Sequence, residues 1–406
     1  RQYSDFGEAR DGDGQQAVES AFFAFRRSFD ARLGGFGAAP KFPRPSIHNF
    51  LLRYWAFSGN EEARDMVLAT LQAMAKGGMH DQLGGGFHRY SVDDHWFVPH
   101  CEQILYDHAQ LAISYLEAFQ ITRDPQYAGV ARDIFSYVLR DLGHAEGGFY
   151  SAEDADSAAD PARPHDKGEG AFYIWTYDEL VTALGESDAA IFCRRFGVEQ
   201  RGNVHEDPHG EFGGRNILYR AQEVEGSQAV LEQAIAKLMQ IRSQRPRPHL
   251  DDKILAGWNA LMISAFAKGA QILDEPRYVE SARAARTFLH AKLWRESDST
   301  LLRRYRDGES AIEAFLDDYA FLVNALLDLY ETDFYPADLA WATRLAERAI
   351  ERFEDPAGGF FSTPAGKTDL VLRLKDDYDG AEPSGNSLMA LGLLRLARIT
   401  GRADFQ

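Results

Sequence analysis

Cysteine is scarce in this sequence: of 406 residues only Cys101 and Cys193 are thiols, far apart and in no CxxC spacing. That excludes a disulfide framework and a cysteine-based zinc cluster, and makes a reducing, cytoplasmic compartment the expectation. Basic charge is short as well, because 44 Lys and Arg stand against 62 Asp and Glu, a formal charge of −18. Phosphate backbones and anionic bilayers would be repelled, so neither nucleic acid nor membrane is an expected partner, and a neutral small molecule or glycan is. No uninterrupted apolar run reaches the roughly eighteen residues that a membrane span needs, and the opening RQYSDFGEARDGDG is polar, without a signal-peptide core. The chain opens with Arg1 rather than Met, so an address carried upstream would be invisible in it.

Glycine, by contrast, is plentiful and placed with a pattern. LGGFGAAPKFP (33–43), LGGGFHRYSVD (83–93), EGGFYSAEDADS (146–157) and AGGFFSTPAGK (357–367) repeat one theme, with a looser FGGRNIL (212–218) between them. Each follows an amphipathic stretch, as expected where glycine supplies the left-handed residue that stops a helix and the next aromatic covers its end. Helices with one wet face are expected at 16–33, 61–78, 125–142, 226–246, 276–294 and 337–354. Stretches 253–273 and 387–399 are apolar or small nearly all round and predict buried helices, with further inner candidates at 45–57, 100–120 and 314–331. Outer and inner helices in alternation predict an all-α (α/α)6 toroid over 16–406, after a polar segment 1–15, with an insertion around 150–225 that obscures the third pair.

In such a ring the loops entering the inner helices gather at one mouth. The sequence loads those loops with Lys41; His88, Arg89, Tyr90, His100 and Glu102; Glu153, Asp154 and Asp156; Asp252, Lys253, Trp258 and Asn259; Asp318 and Tyr319; and Glu382 and Asn386. Aspartate and serine there also serve as ordinary N-caps, so the case rests on the set: carboxylates, amides and aromatics together form the lining that hydroxyl-rich ligands use. A helix running through 100–108 would set His100 and His108 eight apart, off the four-residue spacing of a helical zinc pair, and would put Glu102 and Tyr106 on one face, and Gln103 and Asp107 on another. His108 reads as a core histidine and Cys101 as a small apolar residue. Crowding of Glu153, Asp154 and Asp156 would raise their pKa values by mutual repulsion. A calcium loop starting at Asp154 lacks its turn glycine and closing glutamate, since Ala159 and His165 stand at those places. No metal and no cofactor is expected.

GGFGAAPKFP, GGGFHRYSVDDHWFVPHCEQILYDHAQLA, GGFYSAEDADS, EGAFYIWT, DDKILAGWNALM, FLDDYAFL and EPSGNSLMAL, in this order, resemble the YyaL-like and spermatogenesis-associated protein 20-like proteins. The resemblance runs through nearly the whole chain and implies a toroid similar to that of N-acylglucosamine 2-epimerases and unsaturated glucuronyl hydrolases, with a carbohydrate-type cavity. It also implies a thioredoxin-like domain that this chain does not contain. The family's HFEKMLYD stands here as HCEQILYD, which keeps Glu102, Tyr106 and Asp107 but replaces an aromatic and a lysine by Cys101 and Gln103. The expected function is general acid–base chemistry on a carbohydrate. In glycoside hydrolysis Glu102 would act with Glu153, Asp154 or Asp252, and in epimerisation histidines such as His88 and His100 would move the proton. The alternative is a glycan- or protein-binding module without catalysis, working with the thioredoxin-like partner.

Overall fold

The computed structural model describes residues 14–205, 210–366 and 372–406. Residues 1–13, most of the polar segment expected at 1–15, lie outside them. Thirteen α-helices occur among the described residues, and the long ones fall into two layers. The inner layer is α2 (Pro45–Ser58), α4 (Leu105–Thr122), α9 (Ala256–Leu273), α11 (Leu316–Asp333) and α13 (Gly385–Thr400). The outer layer is α1 (Gly14–Ser28), α3 (Glu61–Lys76), α5 (Pro125–Tyr137), α10 (Pro276–Leu293) and α12 (Pro336–Phe353). Neighbours α2, α4, α9, α11 and α13 pack side by side in that order, and each outer helix lies against an inner one, which is the toroid read from the sequence. α11 shows why these helices go inside. Leu316, Phe321, Leu322, Val323, Leu326, Leu327 and Leu329 are all buried, and each contributes roughly 1.5–3 kcal/mol by leaving water. α12 carries Leu345, Ala346 and Ala349 on its buried stripe and charged residues opposite.

The glycine theme is one structural device used four times. Each turn doubles back so that its aromatic bridges the end of the preceding outer segment, in the pairs Phe29–Phe36, His80–Phe87, Gly143–Phe149 and Glu354–Phe360. Gly35 and Gly86 sit at φ of +88° and +81°, where a side chain would be strained. The inner helix that follows then pins the turn from within. Phe87 N–H donates to His108 Nε2 at 3.0 Å, Phe149 N–H to Asn259 Oδ1 at 2.8 Å, and Phe360 N–H to Asn386 Oδ1 at 2.7 Å.

Two expectations change. The stretch 226–246 forms α8 (Gln228–Arg242), which packs on α6 (Tyr177–Leu184) and α7 (Glu186–Phe196) instead of joining the ring. These three helices own a small separate core around Leu180, Phe192, Phe196, Leu231 and Leu238, so the insertion is a satellite and five outer–inner pairs make up the described ring. Second, α4 starts at Leu105, not at 100. Strands β1 (Tyr90–Ser91) and β2 (Pro99–His100) pair with each other. β3 (Gln103–Ile104) joins a three-stranded sheet with β4 (Ala152–Glu153) and β7 (Leu250–Asp251). These ladders hold 99–104 extended, so Glu102 and Tyr106 share no helix face. The insertion also carries the hairpin β5 (Asp156–Ala158) and β6 (Lys167–Glu169). Farther on come β8 (Ile254–Leu255), β9 (Trp294–Arg295), β10 (Thr300–Arg306) and β11 (Glu309–Glu313), which form a sheet beside the N-termini of α9 and α11. No helix among the described residues is long and apolar enough to cross a membrane.

Candidate active site at the mouth of the toroid

The first turns of α4, α9, α11 and α13 open towards one end of the ring, and the side chains there divide into those that hold the structure and those left without partners. Lys41 is 1% exposed, with Nζ 2.8 Å from Asp30 and 2.9 Å from the Gly34 carbonyl, and serves as a strut. Asn259 and Asn386 are committed to the turns described above. Asp318 accepts from the Gly257 and Phe315 N–H groups, at 3.0 Å each, and from Arg303 at 2.6 Å, while the Tyr319 hydroxyl accepts from Leu301 N–H at 2.9 Å. Gly257 has no room for more, since a Cβ there would stand 2.9 Å from Asp318 Oδ1.

The acidic cluster at 153–156 does not converge. Strand alternation turns Glu153 inward, where Arg247 at 2.6 Å and the Tyr137 hydroxyl at 2.7 Å hold it. Burial, not repulsion from its neighbours in sequence, pushes Glu153 above the usual carboxylate range. Asp154 and Asp156 are exposed. Asp252 lies 2.7 Å from Arg306, and Lys253 pairs with Asp251 at 2.9 Å.

The histidines separate too. His88 is 2% exposed, with Nδ1 3.0 Å from the Cys101 carbonyl, and burial pulls its pKa down to about 4, so its ring is neutral and lies beneath the mouth. His108 is the core histidine expected. Its Nδ1 donates to the Ile104 carbonyl at 2.7 Å, Nε2 accepts from Phe87, and the ring stacks on Tyr137. His100 faces the mouth, stacks on Tyr90 with ring centres 4.9 Å apart, and has Nδ1 2.7 Å from Glu169 Oε1, whose carboxylate raises its pKa. Glu102 pairs with Arg89 at 2.9 Å and lies 4.0 Å from His100 Nε2.

What remains is a set of unsatisfied groups on separate elements. Asp107, in the first turn of α4, is 6% exposed and its Oδ2 has no hydrogen-bond partner. Burial pushes its carboxyl well above the usual range, and the charges of Glu102 and Glu382 add to the effect while Arg89 opposes it. Glu382, just before α13, has an unpartnered Oε1 and is pushed up to about 7 by burial and then by Asp317, with Arg303 opposing. The Trp258 indole N–H faces this carboxyl from α9 without reaching hydrogen-bonding geometry, and the Trp258 ring meets Tyr106 edge to face, with centres 4.8 Å apart. Gln110 Nε2 donates to the Ala381 carbonyl at 2.8 Å and so ties α4 to the loop that carries Glu382. Beside Glu382 opens a cavity of about 280 Å³ whose lining includes Asp317, Phe321, Thr363 and Asn386.

Asp107 belongs to a quoted motif, yet was given no role, because a helix expected from residue 100 sets it two turns in and not at the helix start, where the structure has it. Glu169, which raises the pKa of His100, opens the quoted EGAFYIWT but was given no role, and Arg303, which pairs with Asp317 and Asp318, carried no motif at all.

The fold defines the class: a toroid of the (α/α)6 type, five of whose outer–inner pairs are seen among the described residues, the architecture of several glycoside hydrolases. The GH76 α-mannanase of Bacteroides thetaiotaomicron superposes with a TM-score of 0.54 at 10% identity, over 97% of this chain and 81% of that one. A UGL variant bound to dGlcA-Glc-Rha-Glc does so with a TM-score of 0.53 at 13% identity, over 95% and 79%. No family model matches. The chain is homologous to spermatogenesis-associated protein 20, at 43% identity to the mouse protein and 41% to the human one, in each case over 93% of this chain and 52% of the relative. An uncharacterized protein of Caenorhabditis elegans is 36% identical over 97% of this chain and 58% of its own. The chain therefore spans about half the length of the curated relatives it matches.

Proposed function

We propose that the protein is a carbohydrate-active enzyme that hydrolyses a glycosidic bond, with Asp107 as proton donor and Glu382 as the carboxylate that receives the proton of the attacking water. The single observation behind this reading is a pair of carboxyl oxygens that are buried and unpartnered, Oδ2 of the buried Asp107 and Oε1 of the half-buried Glu382, with the Glu382 charge acting on Asp107. A buried acceptor without a partner costs about 1–3 kcal/mol, so two of them this near call for a ligand that completes them. In the step itself, the Asp107 proton goes to the leaving oxygen, the C1–O bond breaks, water adds at C1, and the proton lost by that water goes to Glu382. Environment suits the two roles: deep burial pushes the Asp107 carboxyl well above the usual range and so favours its protonated form, while Glu382, pushed up to about 7, is half ionised near neutrality. Glu102 with Arg89, His100 and Tyr90 rim the opening and are placed to meet sugar hydroxyls. Epimerisation fits the geometry less well, because His88 lies under the mouth and His100 is tied to Glu169.

Proton NMR in deuterated water, on a panel of neutral, N-acetylated and unsaturated uronic glycosides, tests this. A new reducing-end signal with wild type, lowered at least 100-fold by Asp107→Asn and by Glu382→Gln, is the expected result. Exchange of the C2 proton without bond cleavage would make it an epimerase, and line broadening without any turnover would make it a binding module.

A further inference from the structure

We propose that the cavity beside Glu382 takes one sugar ring bearing an ammonium group, an aminated sugar in place of a neutral or acidic one. The sugar half of this statement rests on the proposed function, and the cationic half rests on the lining. Three carboxylates, Asp317, Asp376 and Glu382, line the cavity together with Phe315 and Phe321, and among the described residues neither lysine nor arginine does. The cations close behind among the described residues are spent elsewhere, Arg303 on Asp317 at 3.3 Å and on Asp318 at 2.6 Å, Arg373 on the Thr363 carbonyl at 2.7 Å, and Lys375 on Asp355 at 2.6 Å. Carboxylates alternating with aromatic faces are how proteins hold ammonium groups, while a uronate or phosphate would meet like charge.

Size narrows the ligand. About 280 Å³ lies at the lower end of small-molecule sites, room for one six-membered ring and not for an oligosaccharide. A metal ion is a poor fit for the same acids, because among the described residues no three His, Cys, Asp or Glu side chains come together as a metal site. The unsatisfied atoms point the same way. Glu382 Oε1 and Thr363 Oγ1 in the lining lack partners, and so does Asp107 Oδ2, in a side chain more than nine-tenths buried on which the Glu382 charge acts. An ammonium group with adjacent hydroxyls supplies three donors where acceptors are waiting.

Binding should also be linked to protons. Glu382 faces Asp317 and Asp318 of α11, Arg303 of β10, Trp258 of α9 and Asp107 of α4, and is pushed up to about 7, first by burial. A cation arriving beside it favours the ionised form, so a proton leaves as the ligand enters.

Titration calorimetry at pH 7, in two buffers of different ionisation heat, with glucosamine, N-acetylglucosamine, glucose and cyclohexylamine as probes, decides between the possibilities. Glucosamine is expected to bind at least tenfold more tightly than glucose or N-acetylglucosamine and to release protons, and Asp317→Asn and Asp376→Asn should each bring the ratio of glucosamine to glucose affinity down close to one. Equal affinity for glucose and glucosamine would overturn the amine assignment and leave the carbohydrate reading standing. Binding of cyclohexylamine with no binding of any neutral sugar would uphold the cationic site and overturn the carbohydrate reading. No binding by any probe would overturn both.

Discussion

A carboxyl that ionises less readily folded than unfolded takes stability away as pH rises, and Glu382 is such a group. Its ordinary value is 4.5 and its folded value about 7. Below 4.5 both states carry the proton and nothing changes. Between 4.5 and 7 the folded state keeps a proton that the unfolded state has released, so stability falls, by at most about 1.4 kcal/mol per pH unit. Urea unfolding should therefore find Glu382→Gln more stable than wild type by about 2 kcal/mol at pH 8 and equal to it at pH 4. An identical difference at both pH values would show that the carboxyl is not held protonated by its surroundings. The same residue shows what sequence can and cannot convey. Its place before a buried helix marked it as a mouth residue, while Asp107 appeared only as part of a quoted motif, two turns into a helix expected from residue 100. Burial without a partner made these two the centre of the site, and that depends on residues from four helices distant in sequence. Glu153 looked equally promising until Arg247, 94 positions away, was seen to hold it.

At the scale of elements, hydrophobic pattern located the inner helices almost to the residue, because a stretch such as 253–273 has no wet face to offer. It misplaced the start of α4, since nothing local distinguishes His100–Ile104 from helix. The ladders that hold it extended come from 90–91 and 152–153. Pattern also misassigned α8, whose polar and apolar faces suit a satellite as well as a ring. A buried pair binds α8 to the toroid: Arg242, 3% exposed, reaches Asp81 with two bonds of 2.8 and 2.7 Å and lies over the rings of Phe172 and Tyr173. Arg242→Met would strand Asp81 as an unpaired buried charge, and a loss of about 3–5 kcal/mol in chemical denaturation is expected. Arg242→Met combined with Asp81→Leu should recover much of that loss, because the pair's stability lies largely in each partner satisfying the other. A double variant as unstable as the single one would mean that Arg242 acts through its packing on the two rings instead.

For the whole molecule, the division into a ring and a satellite predicts two levels of local stability. The ring shares one continuous core from Phe22 to Phe405, and opening any inner helix exposes its neighbours on both sides. The satellite's core is a handful of side chains around Phe192 and Leu238, closed by short helices, one of only eight residues. Opening free energy follows the apolar area that must be exposed together, so the small core should open by itself long before the ring does. Amide hydrogen exchange followed by mass spectrometry should show α6, α7 and α8 exchanging at least tenfold faster than α4, α9 and α11, with Arg242→Met widening the gap because it cuts the link between the two bodies. Equal protection in both would mean that the satellite folds and unfolds with the ring as one unit. In that case the buried pair, and not the size of either core, sets the cooperativity of the molecule.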